Sequence, residues 1–187
     1  MARSPSPLDH ALLGLISLKP ASGYDLRKIF ATTPMGIFSD SPGAIYPALA
    51  RIEAGGLVLG RVDEGAGRRR RKLYRLTTRG AAELRRWLSA AVTREDVAGR
   101  TEELMLRFAF MEPVLGKDGV RAFLEALDAE IEAYLPQLRA HLAAHRAQMA
   151  TSAWLALEFG IRSYEGQLDW CRAARAAYST RKRRSSP

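Results

Sequence analysis

Leu8, Leu12, Leu13, Leu15, Ile16 and Leu18 recur at steps of three and four until Lys19-Pro20 ends the run, which predicts a first helix. Ser22 followed three residues later by Asp25 has the form of a capping box. A second helix is therefore expected from about Gly23 to Thr32, with Tyr24, Leu26, Ile29 and Phe30 on its apolar side. Pro34 to Asp40 reads as a loop. Ser41-Pro42 then offers an N-cap and a first-turn proline for a third helix that ends near Ala54. Its stripe is Ile45, Leu49 and Ile52, while Tyr46, Ala48 and Arg51 point elsewhere. Pro47 argues for a start as late as Ala44, because a proline beyond the first turn deletes a backbone hydrogen bond. Gly55-Gly56 supplies the stop.

After that stop the period changes from helical to alternating. Leu57, Leu59 and Val62, a Gly-rich turn from Glu64 to Gly67, and Leu73, Tyr74 and Leu76 predict a β-hairpin with a basic tip. Thr77-Thr78 caps a fourth helix with Ala81, Leu84, Leu88 and Val92 on one face. Three helices, a hairpin and a fourth helix are the element order of a winged helix-turn-helix.

From Thr93 on the pattern is helical. Leu104, Met105, Phe108 and Met111 give a short helix, and Glu112 to Gly119 is a breaker cluster. A seam of Leu124, Leu127, Ile131, Leu135, Leu138, Leu142, His145 and Met149 follows, with a kink expected at Pro136. Trp154, Leu157, Ile161, Tyr164, Leu168 and Cys171 form a second seam after a turn near Thr151, so the two helices should pair antiparallel. Leu155, Phe159 and Trp170 are left over and are candidates to meet a second copy of the chain.

The expected fold class is thus mainly α with a small β-hairpin: a winged helix-turn-helix over 1–92, a helical dimerisation domain over 93–180 and a basic tail over 181–187. Charge sharpens this division. Residues 1–92 hold 15 Lys+Arg against 7 Asp+Glu, whereas residues 93–187 hold 14 against 13. A basic excess confined to one half is the footprint of a polyanion binder. The single cysteine, Cys171, excludes an intrachain disulfide and fits a reducing cytoplasm. No apolar run approaches the roughly 20 residues a spanning helix needs, so no membrane partner is expected. Asp9 and His10 argue against reading the first apolar run as a signal peptide.

Two constellations carry the chemistry. Ser41, Gly43, Ala44 and Tyr46 open the third helix, where small residues let a backbone approach DNA, free amides can hold a phosphate and a tyrosine can donate to another. Arg68, Arg69, Arg70, Arg71 and Lys72 follow the hairpin turn, and their mutual repulsion makes sense where phosphates neutralise them. Since alternate strand residues face opposite sides, about half of the five should touch DNA together. A solvated loop is the plainer reading of such a run. Phe108, Phe110 and Trp154, with Phe159 and Trp170, are candidates to line a pocket for an aromatic effector, although such residues more often bury helix surface. His141 and His145 have metal-ligand spacing but no third ligand, and no metal or cofactor is expected.

The N-terminal half resembles the PadR family of bacterial transcriptional regulators. Leu12-Leu13-Gly14-Leu15, Ser22-Gly23-Tyr24-Asp25-Leu26, the run from Ser41 to Leu49, Arg51-Ile52-Glu53, Gly56-Leu57-Val58 and Arg69 to Thr77 with Gly80 carry the resemblance, in that order. It implies a homodimer on double-stranded DNA, with each third helix in a major groove and each wing in a minor groove, usually acting as a repressor. It also implies that the helical half supplies the dimer interface. Arg51 joins the candidate DNA-contacting residues, and Pro47 matches the family pattern.

The expected function is a cytoplasmic, nucleoid-associated repressor that binds an inverted-repeat operator as a homodimer and is released by a small molecule. An RNA- or ribosome-associated winged helix is the rival, since phosphates alone do not distinguish duplexes. Without a Gly-rich phosphate loop, a metal-ligand cluster or a Ser/His/Asp set, the chain is not expected to be an enzyme, and no catalytic residue is assigned.

Overall fold

The computed structural model describes residues 4–38, 43–63 and 71–179. The chain folds as two compact units that divide between Ala90 and Ala91.

In the first unit, α1 (Pro7–Leu18) opens on a capping box, Ser6 with Asp9, and has a proline in its first turn. Its Leu12 and Leu13 are fully buried, with Leu26, Ile45, Leu49, Leu84 and Leu88 of the neighbouring helices. The Ser22–Asp25 capping box likewise starts α2 (Gly23–Thr32). Leu26 and Phe30 face inward, but Tyr24, expected on the apolar side, is exposed. Pro34–Phe38 forms a 3-10 turn within the expected loop.

The third helix, α3, spans Ile45–Ala54 with Ala44 as its N-cap and no side-chain cap. The late start is the correct one, with the helix beginning after Ala44, and Pro47 falls in the first turn, where its missing N–H costs no helical bond. Ala48, expected outside the stripe, is fully buried with Ile45 and Leu49. At the other end the Gly56 amide donates to Glu53 and the Leu57 amide to Ile52, with Gly56 at φ 69°. These are the two bonds of a Schellman stop, and the left-handed residue is a glycine.

The hairpin expected from the alternation is β2 (Val58–Asp63) against β3 (Arg71–Leu76). A third strand, β1 (Ala21–Ser22), pairs with the other edge of β3 through Ala21–Tyr74 and Ser22–Leu73, so the sheet has the order β1-β3-β2. Two residues are too few for an alternation to show in sequence. Thr77 caps α4 (Thr78–Leu88), its hydroxyl accepting from the Gly80 amide. This helix ends four residues before Val92, which the periodicity had included.

The second unit begins with a short helix absent from the sequence reading, α5 (Arg94–Gly99), started by a Thr93–Asp96 capping box. In α6 (Thr101–His145) only Gly116 leaves helical geometry, at φ 69° and ψ −177°. The break therefore lies inside the expected breaker cluster, and the backbone at Pro136 stays helical. The last helix is α7 (Thr151–Ser179).

Leu124, Leu127, Ile131 and Leu135 of α6 are buried, as are Ile161, Leu168 and Cys171 of α7. Asp128–Arg175, Glu132–Arg172 and Arg139–Glu165 bridge the two helices. The number on α7 falls as that on α6 rises, the signature of an antiparallel pair. Burial holds the Cys171 thiol far above its ordinary range, at about 11.

Candidate nucleic-acid interface

The first unit places the start of α3 and the base of the wing on one groove of about 450 Å³, lined by Ser22, Gly23, Tyr24, Tyr46, Arg71, Lys72 and Tyr74. Pairing of β1 with β3 produces this arrangement, because it brings the N-terminus of α2 beside the strand that carries Arg71 and Lys72. Tyr46 is 51% exposed and Tyr24 58%. A side chain on Gly23 would come within 2.7 Å of the Tyr46 ring, so the absence of a Cβ lets that ring lie against the start of α2. Arg27 stands over the Tyr24 ring at 5.9 Å. Gly43 is exposed and Ala44 half-buried, just before the first turn of α3.

The cations differ in how far they are already committed. Lys72 donates to Glu53 of α3 at 2.7 Å and stands over the Tyr74 ring at 5.2 Å. Its bond to Glu53 raises its pKa. Glu53 also accepts from the Gly60 amide at 3.2 Å, which ties α3 to β2. Arg51, a candidate DNA contact, donates to the buried Asp9 of α1 at 2.7 Å while half of its side chain stays exposed. Arg71 is exposed with no ion-pair partner among the described residues. Close by, the Ser22 hydroxyl donates to Asp25 at 2.6 Å and holds that carboxyl below its ordinary range; burial opposes the shift, and Arg71 and Lys19 assist it.

Of the sequence candidates, the structure thus gathers Tyr46, Arg71 and Lys72 around one groove, with Gly43 and Ala44 just before the helix that carries Tyr46. Ser41, Arg68, Arg69 and Arg70 lie outside the described residues, as do the hairpin turn at 64–67 and the basic tail. Tyr24 was missed as a groove residue because a tyrosine at helical spacing reads as core. The Asp9–Arg51 and Glu53–Lys72 pairs were missed because partners 42 and 19 residues apart leave no local pattern.

In the second unit the aromatic candidates do not form one cluster. Phe108 packs edge-on against Trp170 at 5.1 Å, and Phe110 is in the core. Trp154 carries Arg146 over its ring at 4.2 Å. Sixteen residues of α7 separate the two tryptophans, about 24 Å of helix. Leu155 is 47% exposed and Phe159 75%, and Trp170 is partly covered by Phe108. His145 Nδ1 lies 2.9 Å from the His141 carbonyl. Among the described residues no three His, Cys, Asp or Glu side chains gather to hold a metal, and no helix is long and apolar enough to cross a membrane.

Comparison with known proteins bears on both units. Residues 12–86 match the transcriptional regulator PadR-like family, and residues 101–179 match the virulence activator alpha C-terminal family. The negative transcriptional regulator PadR of Bacillus subtilis (strain 168) is 32% identical over 81 residues, 43% of this chain and 44% of that protein. The chain thus matches less than half the length of this curated relative. Among solved structures, B. subtilis PadR in complex with operator DNA aligns with 92% of this chain and 99% of its own at 21% identity and a TM-score of 0.43. A PadR-like regulator from Bacillus cereus aligns with 91% and 97% at 24% identity and a TM-score of 0.39. The matched stretch runs from α1 into α4 and includes the groove, so over residues 12–86 the chain is similar to the PadR-like family of transcriptional regulators.

Proposed function

We propose that this chain is a PadR-like transcriptional regulator that represses transcription as a cytoplasmic homodimer on an inverted-repeat operator in double-stranded DNA. The observation that carries the reading is the shared groove: exposed Tyr46 of α3 and exposed Arg71 of β3 line one surface, as simultaneous contact with a duplex requires. The first turn of α3 supplies amides for a phosphate, Tyr46 and Tyr24 supply hydroxyl donors, and Arg71 supplies charge. Arg68, Arg69 and Arg70 extend that charge in the sequence toward the wing tip. Repression is supported by the role of the B. subtilis relative across the matched stretch.

Dimerisation is assigned to the helical unit, where Leu155 and Phe159 stand exposed on α7. Two copies would present their reading helices to half-sites about one helical turn, roughly 34 Å, apart. Control by a small molecule completes the reading.

The test is fluorescence anisotropy with the chain's own promoter fragment over a salt series. Binding should weaken linearly in log-log form, and Tyr46→Phe should weaken it about five-fold, the cost of one hydrogen bond. Footprinting should protect two symmetric half-sites. Salt-independent capture, or preference for RNA over duplex DNA, would reject the reading.

A further inference from the structure

A second cleft in the first unit, of about 770 Å³, lies apart from the groove, where the N-terminus of α1, the C-terminal turn of α3 and one face of α4 meet. Arg51, Arg79 and Arg86 stand on it with Asp9 and Glu83. Both acids are consumed from within. One Asp9 oxygen accepts from Arg51 and the other from the Ser6 amide. Arg86 grips both oxygens of Glu83, and His10 lies 3.4 Å from one of them.

The cleft therefore has little acceptor capacity left and an excess of donors. Arg79 has no hydrogen-bond or ion-pair partner among the described residues, and it is exposed. It lies two turns from Arg86 on α4, about 10 Å along the axis. Exposed Ala82 and the edges of the buried Ile52 and Leu57 add aliphatic surface to the same cleft. An uncommitted guanidinium fork beside apolar side chains suits a carboxylate or phosphate on a short hydrocarbon body, and the volume is that of a small-molecule site. We propose that this cleft binds a small organic anion, whose charged group is held by Arg79 and whose body lies on Ile52, Leu57 and Ala82.

The proposal does not depend on the DNA reading, since binding is measured without DNA. Isothermal titration of the full chain at physiological salt would use hexanoate and hexyl phosphate as probes, with hexanamide as the neutral counterpart. One site per chain is expected for at least one anion, and the two anions distinguish a carboxylate ligand from a phosphate one. Hexanamide and the Arg79→Ala variant should each bind about ten-fold more weakly, the cost of a charge-assisted bond. Arg79→Lys, which keeps the charge but loses the fork, should fall between, and it carries the test if Arg79→Ala does not fold. Arg162→Ala, on an exposed arginine of α7, should bind as the parent does.

No saturable binding up to about 10 mM, equal affinity for hexanamide, or full affinity in Arg79→Ala would overturn the proposal. So would absence of anion binding combined with a shallower DNA salt slope in Arg79→Ala, which would make the cleft a phosphate contact of the operator.

Discussion

Arg51 of α3 donates to Asp9 of α1 at 2.7 Å, and the same carboxylate accepts from the Ser6 amide that opens α1. One buried acid thereby fixes the start of one helix and the C-terminal turn of another. Asp9→Ala removes the capping bond and strands Arg51, and it should cost about 2 kcal/mol in urea unfolding. Arg51→Ala should cost about 1 kcal/mol, because half of that side chain is in water. Under conditions where both variants are folded, Arg51→Ala should keep parental DNA affinity. A ten-fold loss would restore Arg51 to the DNA contacts.

Lys72 and Arg71 are neighbours in sequence with different commitments. Arg71 is free of ion pairs among the described residues, whereas Glu53 already neutralises Lys72. Arg71→Ala should lower the log-log salt slope by about 0.9, and Lys72→Ala by clearly less. Glu53→Gln should release Lys72 and raise affinity for all duplexes alike. Equal slopes for the Arg71 and Lys72 variants would show that Lys72 leaves Glu53 when DNA binds.

These pairs mark the limit of what the sequence discloses. The helices and hairpin were legible because burial on one face imposes a period, as at Ile45, Leu49 and Ile52, and because caps such as Ser22–Asp25 are local. β1 was not legible, since two residues carry no period; its pairing with β3 closes the groove. α5 was missed for a related reason: a six-residue helix with one buried residue, Val97, has no stripe to read. The arginine run was evident from composition, but the commitments of Lys72 and Arg51 depend on tertiary partners.

The Ser22–Asp25 bond gives the first unit an acid sensitivity of defined sign. The folded-state pKa of Asp25 lies below its ordinary value of 3.8, so the charged carboxylate is favoured by folding. Its contribution is full above that value and disappears as pH falls through the folded-state pKa. Thermal melts of the parent and of Asp25→Asn should therefore differ at neutral pH and converge in acid below 3.8. A gap that stays constant with pH would mean that the charge is not what the cap uses.

Phe159 is the most exposed large apolar residue described, at 75%, and Leu155 lies one turn before it on α7. Covering such a pair between two copies removes apolar surface from water at about 25 cal/mol per Å², so a ring and a leucine contribute several kcal/mol to association. Neither residue belongs to the buried α6–α7 seam, and replacing both with Glu should leave helical content and urea midpoint of the chain near parental values. The same double variant should shift sedimentation from dimer to monomer at micromolar concentration. Operator binding should then fall at least about a hundred-fold, because two independent half-site encounters replace one joined event. A Leu155→Glu/Phe159→Glu chain that still sediments as a dimer would place the contact on another face of the helical unit.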